Sequence, residues 1–236
     1  MKEIGSILMA FCVMLLLSAL PAAAQSSNPA NVPDLNGVWQ GPFTPDLTKP
    51  FGKEPPFTPY GKQKYDSVDH SKDPLARCLP IGPNRGMQAP MPFQIVQAKD
   101  VISILLEMQN TFRIIYLDGR GHPGLLQDYP QWMGHSIGKW EGNTLVVETV
   151  GVDLRTWIDT EGKEHSDKLR LVERFQKVND NLINWTVTIE DPVFYTQPWS
   201  VTLPMKKQET FIMSYSCVEN EKDLEKLVPT VGRTNQ

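Results

Sequence analysis

Four histidines lie beyond the first 60 residues: His70, His122, His135 and His165. None has a second histidine at HxH, HxxH or HxxxH spacing, and no Asp/Glu cluster accompanies them. That spacing points away from a metal centre and leaves the imidazoles as acid–base groups titrating near neutral pH. His122 sits in the loop DGRGHP and His165 in DTEGKEHSD, and loops are where binding groups usually sit. His135 shares a strand face with Met133, Ile137 and Val150, which equally suits a hydrogen-bonded, half-buried histidine. Glu173 and Arg113 each stand alone on an otherwise apolar strand face. An isolated buried charge is very costly, so the two are either structural pairs, with each other or with neighbours, or an interior polar site. In the second case Arg113 anchors an anionic or carbonyl group and Glu173 acts as acid or base. With Asp153 assisting, the candidate acid–base set is His135, His165, His122, Glu173 and Asp153. Ser136 in GHSIG only imitates a nucleophile elbow, because its context is strand–strand and not strand–turn–helix. No glycine-rich phosphate loop or dinucleotide fingerprint occurs, and no cofactor is expected.

Aromatic residues are the second chemical resource. In WMGHSIGKWEGNTLVVETVG, Gly134, Ser136 and Gly138 occupy alternate positions between Trp132 and Trp140. Glycine inside a strand marks a bend or a close approach. The bare lane is therefore either a barrel corner with room for a large core side chain, or a cavity floor for a flat ligand. On the second reading the ligand-binding set is Trp132, Trp140, Arg113, Trp157, Tyr195 and Trp199; on the first, each is ordinary core.

The elements that must position these groups are mostly strands. Short apolar runs with tight turns predict strands over 93–98, 100–108, 111–118, 132–140, 144–152, 168–178, 182–191, 199–206 and 210–218, with Gly37–Gln40 as opener. Their spacing suggests an all-β antiparallel meander closed into a barrel. A turn at Gly142-Asn143 sets Trp140 against Leu145, Gly138 against Val147 and Ser136 against Thr149. A loop at Asn179-Asp180-Asn181 sets Phe175 against Trp185, Glu173 against Val187 and Arg170 against Glu190. A two-residue turn at Gln109-Asn110 sets Ile104 against Ile115 and Leu106 against Arg113. Thirteen of the 20 prolines lie between Pro29 and Pro92, so residues 25–92 hold little regular structure. One short helix is expected at Pro59–Asp66, capped by Thr58. Phe43, Phe51, Phe57, Tyr60 and Tyr65 argue that this segment packs over the barrel, since a free linker holds fewer aromatics.

The first 24 residues read as a secretory signal peptide, with Lys2, an apolar run and Ala22-Ala23-Ala24 before the cleavage point. The run is too short to cross a bilayer core of about 30 Å. A secreted or periplasmic protein without a membrane span is expected. Cys12 departs with the signal, leaving Cys78 and Cys217, which read as one long-range disulfide in an oxidising compartment or as two separate buried thiols. The formal charge of −4, with no dense Lys/Arg block, argues against a nucleic-acid partner, and none is expected. The expected organisation is a signal peptide (1–24), a proline-rich segment (25–92), a barrel (93–220) and a short tail (221–236).

Two resemblances bear on these expectations. Gly37-Val38-Trp39, leading into antiparallel strands, is similar to the opening of lipocalin-type (calycin-like) barrels, which implies a small-molecule cavity within the barrel. The long proline-rich insertion after it departs from a plain lipocalin. PDLNGVW, CLPIGPNR, IYLDGRGHP, WMGHSIGKWEGNTLVVETVG, HSDKLRLVERF and YSCVENE together resemble a widespread family of secreted bacterial proteins, a resemblance that carries over no catalytic residue. The leading expectation is a secreted barrel binding a small, largely apolar or aromatic molecule in an interior cavity. The alternative is a cofactor-independent isomerase, lyase or hydrolase working by general acid–base chemistry. A third possibility is a purely structural envelope protein.

Overall fold

A computed structural model of the chain describes residues 32–217; the expected signal peptide and tail lie outside them. Nine strands close into one barrel: β1 (Gly37–Gln40), β2 (Phe93–Gln97), β3 (Val101–Leu106), β4 (Thr111–Tyr116), β5 (His135–Glu141), β6 (Thr144–Val150), β7 (Arg170–Asn179), β8 (Leu182–Glu190) and β9 (Trp199–Gln208). They follow one another around the wall, and β1 closes on β9. The barrel is mixed, not an antiparallel meander throughout: β4 and β5 run parallel while every other neighbouring pair, including β1 with β9, is antiparallel. Parity forces this. A ring with an odd number of strands cannot alternate direction all the way round, so one neighbouring pair must be parallel. Parallel neighbours need a crossover of a dozen or more residues, and residues 117–134 supply it.

The β5–β6 and β7–β8 registers match the sequence expectation, down to Ser136↔Thr149 and Glu173↔Val187. At the β7–β8 end a bulge between Lys177 and Asn179 shortens the connection to Asp180-Asn181. The β3–β4 register differs by two residues, pairing Ile104 with Arg113 and Ile102 with Ile115. The turn is longer than Gln109-Asn110: a 3₁₀ turn at Met108–Asn110 places both those residues in the left-handed region, at φ 59° and 48°. A shift of two preserves the faces, so the inward set is unchanged. The strand expected over 210–218 does not form within the described residues. Closure by β1 already occupies that side of β9, and the chain instead turns away to bond Glu107 and Asn110 through the amides of Met213 and Tyr215.

Inside the barrel Trp39, Phe93, Phe175 and Trp185 are fully buried among Ile, Val and Leu. Trp39 donates its indole N–H to the carbonyl of Leu35 at 2.9 Å. The proline-rich segment carries three short α-helices, α1 (Thr48–Phe51), α2 (Pro59–Asp66) and α3 (Pro83–Gly86). Helix α2 starts as expected, with proline in its first turn and the Thr58 hydroxyl accepting the Gly61 N–H at 3.0 Å. Leu35, Leu47 and Met87 from this segment join the barrel core. A Cys78–Cys217 disulfide, closing a separation of 139 residues, ties the segment to the chain beyond β9. No helix among the described residues is long and apolar enough to cross a membrane.

Candidate functional site

The parallel seam opens the wall. Strands β4 and β5 pair through Ile115↔Ser136 and Tyr116↔Ile137, so residues 111–114 face the incoming residues 131–134 across a gap. That gap is a crevice of about 500 Å³, walled by Phe112, Ile114, Tyr116, Trp132, Met133 and His135. Gly134 turns the chain into β5 at φ +62°, and a Cβ there would stand 2.8 Å from Thr149 Cγ2 and 2.9 Å from the Val150 carbonyl oxygen. The remainder of the bare lane points inward and is filled by β4 and its continuation. A Cβ on Gly138 would meet Ile115 Cγ2 at 2.9 Å and Leu117 Cδ2 at 3.0 Å. The lane is thus the slot that receives β4 side chains, not a vacant floor.

Beneath the seam, Arg113 and Glu173 pair with each other. Both are essentially inaccessible. Arg113 Nη1 donates to Glu173 Oε1 at 2.9 Å and Nη2 to Oε2. Its Nε donates to Ser136 Oγ at 3.0 Å, and Thr149 Oγ1 accepts from Nη2. Trp185 Nε1 completes the carboxylate at 3.0 Å. Every lone charge on an apolar face has therefore found a partner, as burial demands.

Outside the wall, the crossover brings two candidates together. His122 and His135 meet Nδ1 to Nδ1 at 2.9 Å, and His122 Nε2 lies 3.2 Å from Glu148 Oε1 on β6. Glu148 Oε2 accepts Arg170 Nε at 2.8 Å, and Arg170 Nη1 donates to Glu190 at 2.7 Å. Tyr116 stacks on His135 with centroids 5.3 Å apart, and Arg120 lies 3.9 Å from the Tyr116 ring centre. Burial, then the nearby His122 and Arg120, hold the His135 pKa below the ordinary histidine value. The two histidines and Glu148 form a series, not a ring around one point; among the described residues no His/Cys/Asp/Glu group is arranged to hold a metal ion.

The other candidates lie elsewhere. His165 is buried, with Nδ1 on the Ser166 carbonyl at 3.0 Å and Nε2 on Thr156 Oγ1 at 2.9 Å; burial lowers its pKa. Asp153 is held by Arg155, whose hydrogen bonds keep the carboxylate below its usual range. That Arg155 guanidinium also lies 4.0 Å from the Trp132 ring centre. Trp140 packs against the core, and Trp157 lies 5.9 Å from Arg85. Tyr195 and Trp199 make an edge contact at 5.4 Å under Phe51 and Phe57. Their hydroxyl and indole N–H lack partners among the described residues, and burial raises the Tyr195 pKa.

Sequence reasoning missed Phe112, Tyr116 and Met133 as crevice walls, and Ser136, Thr149 and Glu148 as partners. The β5–β6 register held a signal for Glu148, which lies two positions from Val150, the residue opposite His135. Nothing local placed His122, because a crossover has no register.

The chain matches no protein-family model and no curated protein.

Proposed function

We propose that this barrel binds a small, largely apolar or aromatic molecule, and that the molecule sits in the β4–β5 crevice and not at the barrel centre. The observation that carries this reading is the crevice itself. Its volume of about 500 Å³ suits a small ligand, and its walls combine apolar and aromatic side chains with the polar residues Asn110, Thr111, Arg113 and Gln131 and a single imidazole, His135. The barrel interior, by contrast, is occupied by Trp39, Phe93, Phe175 and Trp185. Phe112 supports the same location: it is 62% exposed, a large apolar surface left in water beside the gap. The Cys78–Cys217 bond supports function in an oxidising compartment, outside the cell or in a periplasm. It accords with membership of the secreted bacterial family that the sequence resembles.

Equilibrium dialysis of the purified, oxidised protein against 2-methoxynaphthalene tests the location. Saturable uptake at one site is expected, with Phe112→Asp weakening it at least tenfold, because the ligand would then lie against a carboxylate. Phe112 is exposed, so that variant folds. Absence of saturable uptake, or uptake indifferent to Phe112→Asp, refutes the reading.

A further inference from the structure

With both imidazoles neutral, the hydrogen bonds outside the seam decide which nitrogen of His135 remains for a ligand. Arg170 occupies Glu148 Oε2, and Glu148 Oε1 faces His122 Nε2 at 3.2 Å. A carboxylate only accepts, so His122 must carry its proton on Nε2. A neutral His122 then has a bare Nδ1. The 2.9 Å contact between the two Nδ1 atoms needs one proton, and His135 must provide it. With both rings neutral, His135 is therefore protonated at Nδ1 and bare at Nε2, a nitrogen with no hydrogen-bond partner among the described residues, in a residue that lines the crevice.

We propose that His135 Nε2 is the basic hydrogen-bond acceptor of the crevice, where Asn110 and Gln131 offer only amides, and that it selects a ligand bearing a weakly acidic O–H, such as a phenol or enol, whose proton it can take. This rests on the crevice reading above. When the proton moves, the ligand O–H bond breaks and an Nε2–H bond forms on His135. The Nδ1 proton of His135 passes to Nδ1 of His122, which becomes an imidazolium beside the Glu148 carboxylate. No proton or charge is gained or lost overall. The oxyanion stays in the crevice while the positive charge rests one ring away, against a carboxylate held by Arg170. The groups around the relay are Tyr116 on β4, Arg120 with its partner Asp118 in the crossover, Glu148 on β6 and Arg170 on β7. His122 reaches the crevice only through His135 and is a positioning residue.

Paired dialysis against 2-naphthol and 2-methoxynaphthalene tests this, since the two probes differ in the O–H. The wild type is expected to prefer the naphthol about tenfold, the worth of one good hydrogen bond. His135→Phe should bring the ratio to about one. The preference should fade as pH drops, because a protonated His135 presents N–H at Nε2 and cannot accept. In His122→Phe nothing holds the His135 proton on Nδ1, so the naphthol preference should shrink while uptake of 2-methoxynaphthalene is unchanged; a preference as large as the wild type's would overturn the tautomer assignment. Equal binding of both probes overturns the acceptor assignment and leaves the crevice standing. A preference that survives His135→Phe also overturns the assignment. Binding of neither probe overturns both.

Discussion

Replacing Glu173 by leucine removes the acceptor of three hydrogen bonds, two from Arg113 and one from Trp185. Neither the carboxylate nor the guanidinium can reach water, so Arg113 would be left as a buried cation with only the hydroxyls of Ser136 and Thr149. Breaking such a pair from one side costs about 3–5 kcal/mol, a large share of the 5–15 kcal/mol that holds a typical domain together. Removing both charges, as Arg113→Met with Glu173→Leu, should cost less than Glu173→Leu alone. Ser136 and Thr149 keep their mutual bond at 2.9 Å, so the main residual loss is the stranded Trp185 N–H, about 1–3 kcal/mol. The expected coupling between the two sites is thus at least ~2 kcal/mol. Urea unfolding followed by tryptophan fluorescence, with the disulfide intact, measures all four corners of the cycle. A Glu173→Leu cost below ~1 kcal/mol, or a double variant equal to the sum of the singles, would refute the interior pairing.

Three further predictions use the same unfolding assay. Cys78→Ser with Cys217→Ser releases a 139-residue loop, and the chain-entropy relation puts the loss at about 5 kcal/mol; a loss under 1 kcal/mol would show that the bond constrains nothing. Gly134→Ala forces a side chain into a left-handed φ and to within 2.9 Å of the Val150 carbonyl oxygen, so it should cost at least ~2 kcal/mol, and an alanine as stable as the parent would contradict the bend. Burial is the first cause lowering both His135 and His165. The unfolded chain therefore binds protons first as pH falls. Stability should be fully present above the ordinary histidine value of 6.5 and decline below it. His165→Gln should flatten that decline, and a midpoint unchanged between pH 7.5 and 5 would refute it.

Period-two patterns and short turns were sufficient for the local architecture. Two hairpins joined by tight turns can be registered by pairing apolar faces, so the alignment of Ser136 with Thr149 and of Glu173 with Val187 was readable in one dimension. Thr58 before a proline likewise announces α2. Two lone charges on apolar faces announce that each needs a partner, because burial leaves no alternative. Even the shift of two in β3–β4 kept every side chain on its expected face; only the left-handed Gln109 and Asn110, which lengthen the turn, were not legible.

What the tertiary structure alone decided has a different physical origin. Closure is a property of the whole ring, and only the count of strands that close it imposes a parallel neighbour. That parity creates the crossover, opens the seam and makes the crevice. The bare lane beside Ser136 could equally have floored a cavity; that it receives Ile115 and Leu117 depends on which strand lies across the seam. The meeting of His122 with His135 and Glu148 depends on it too: the β5–β6 turn sets His135 near Glu148, but a crossover residue shares no turn or period with either. Their contact follows from the path the chain takes to bring β5 alongside β4, and no local pattern encodes that path.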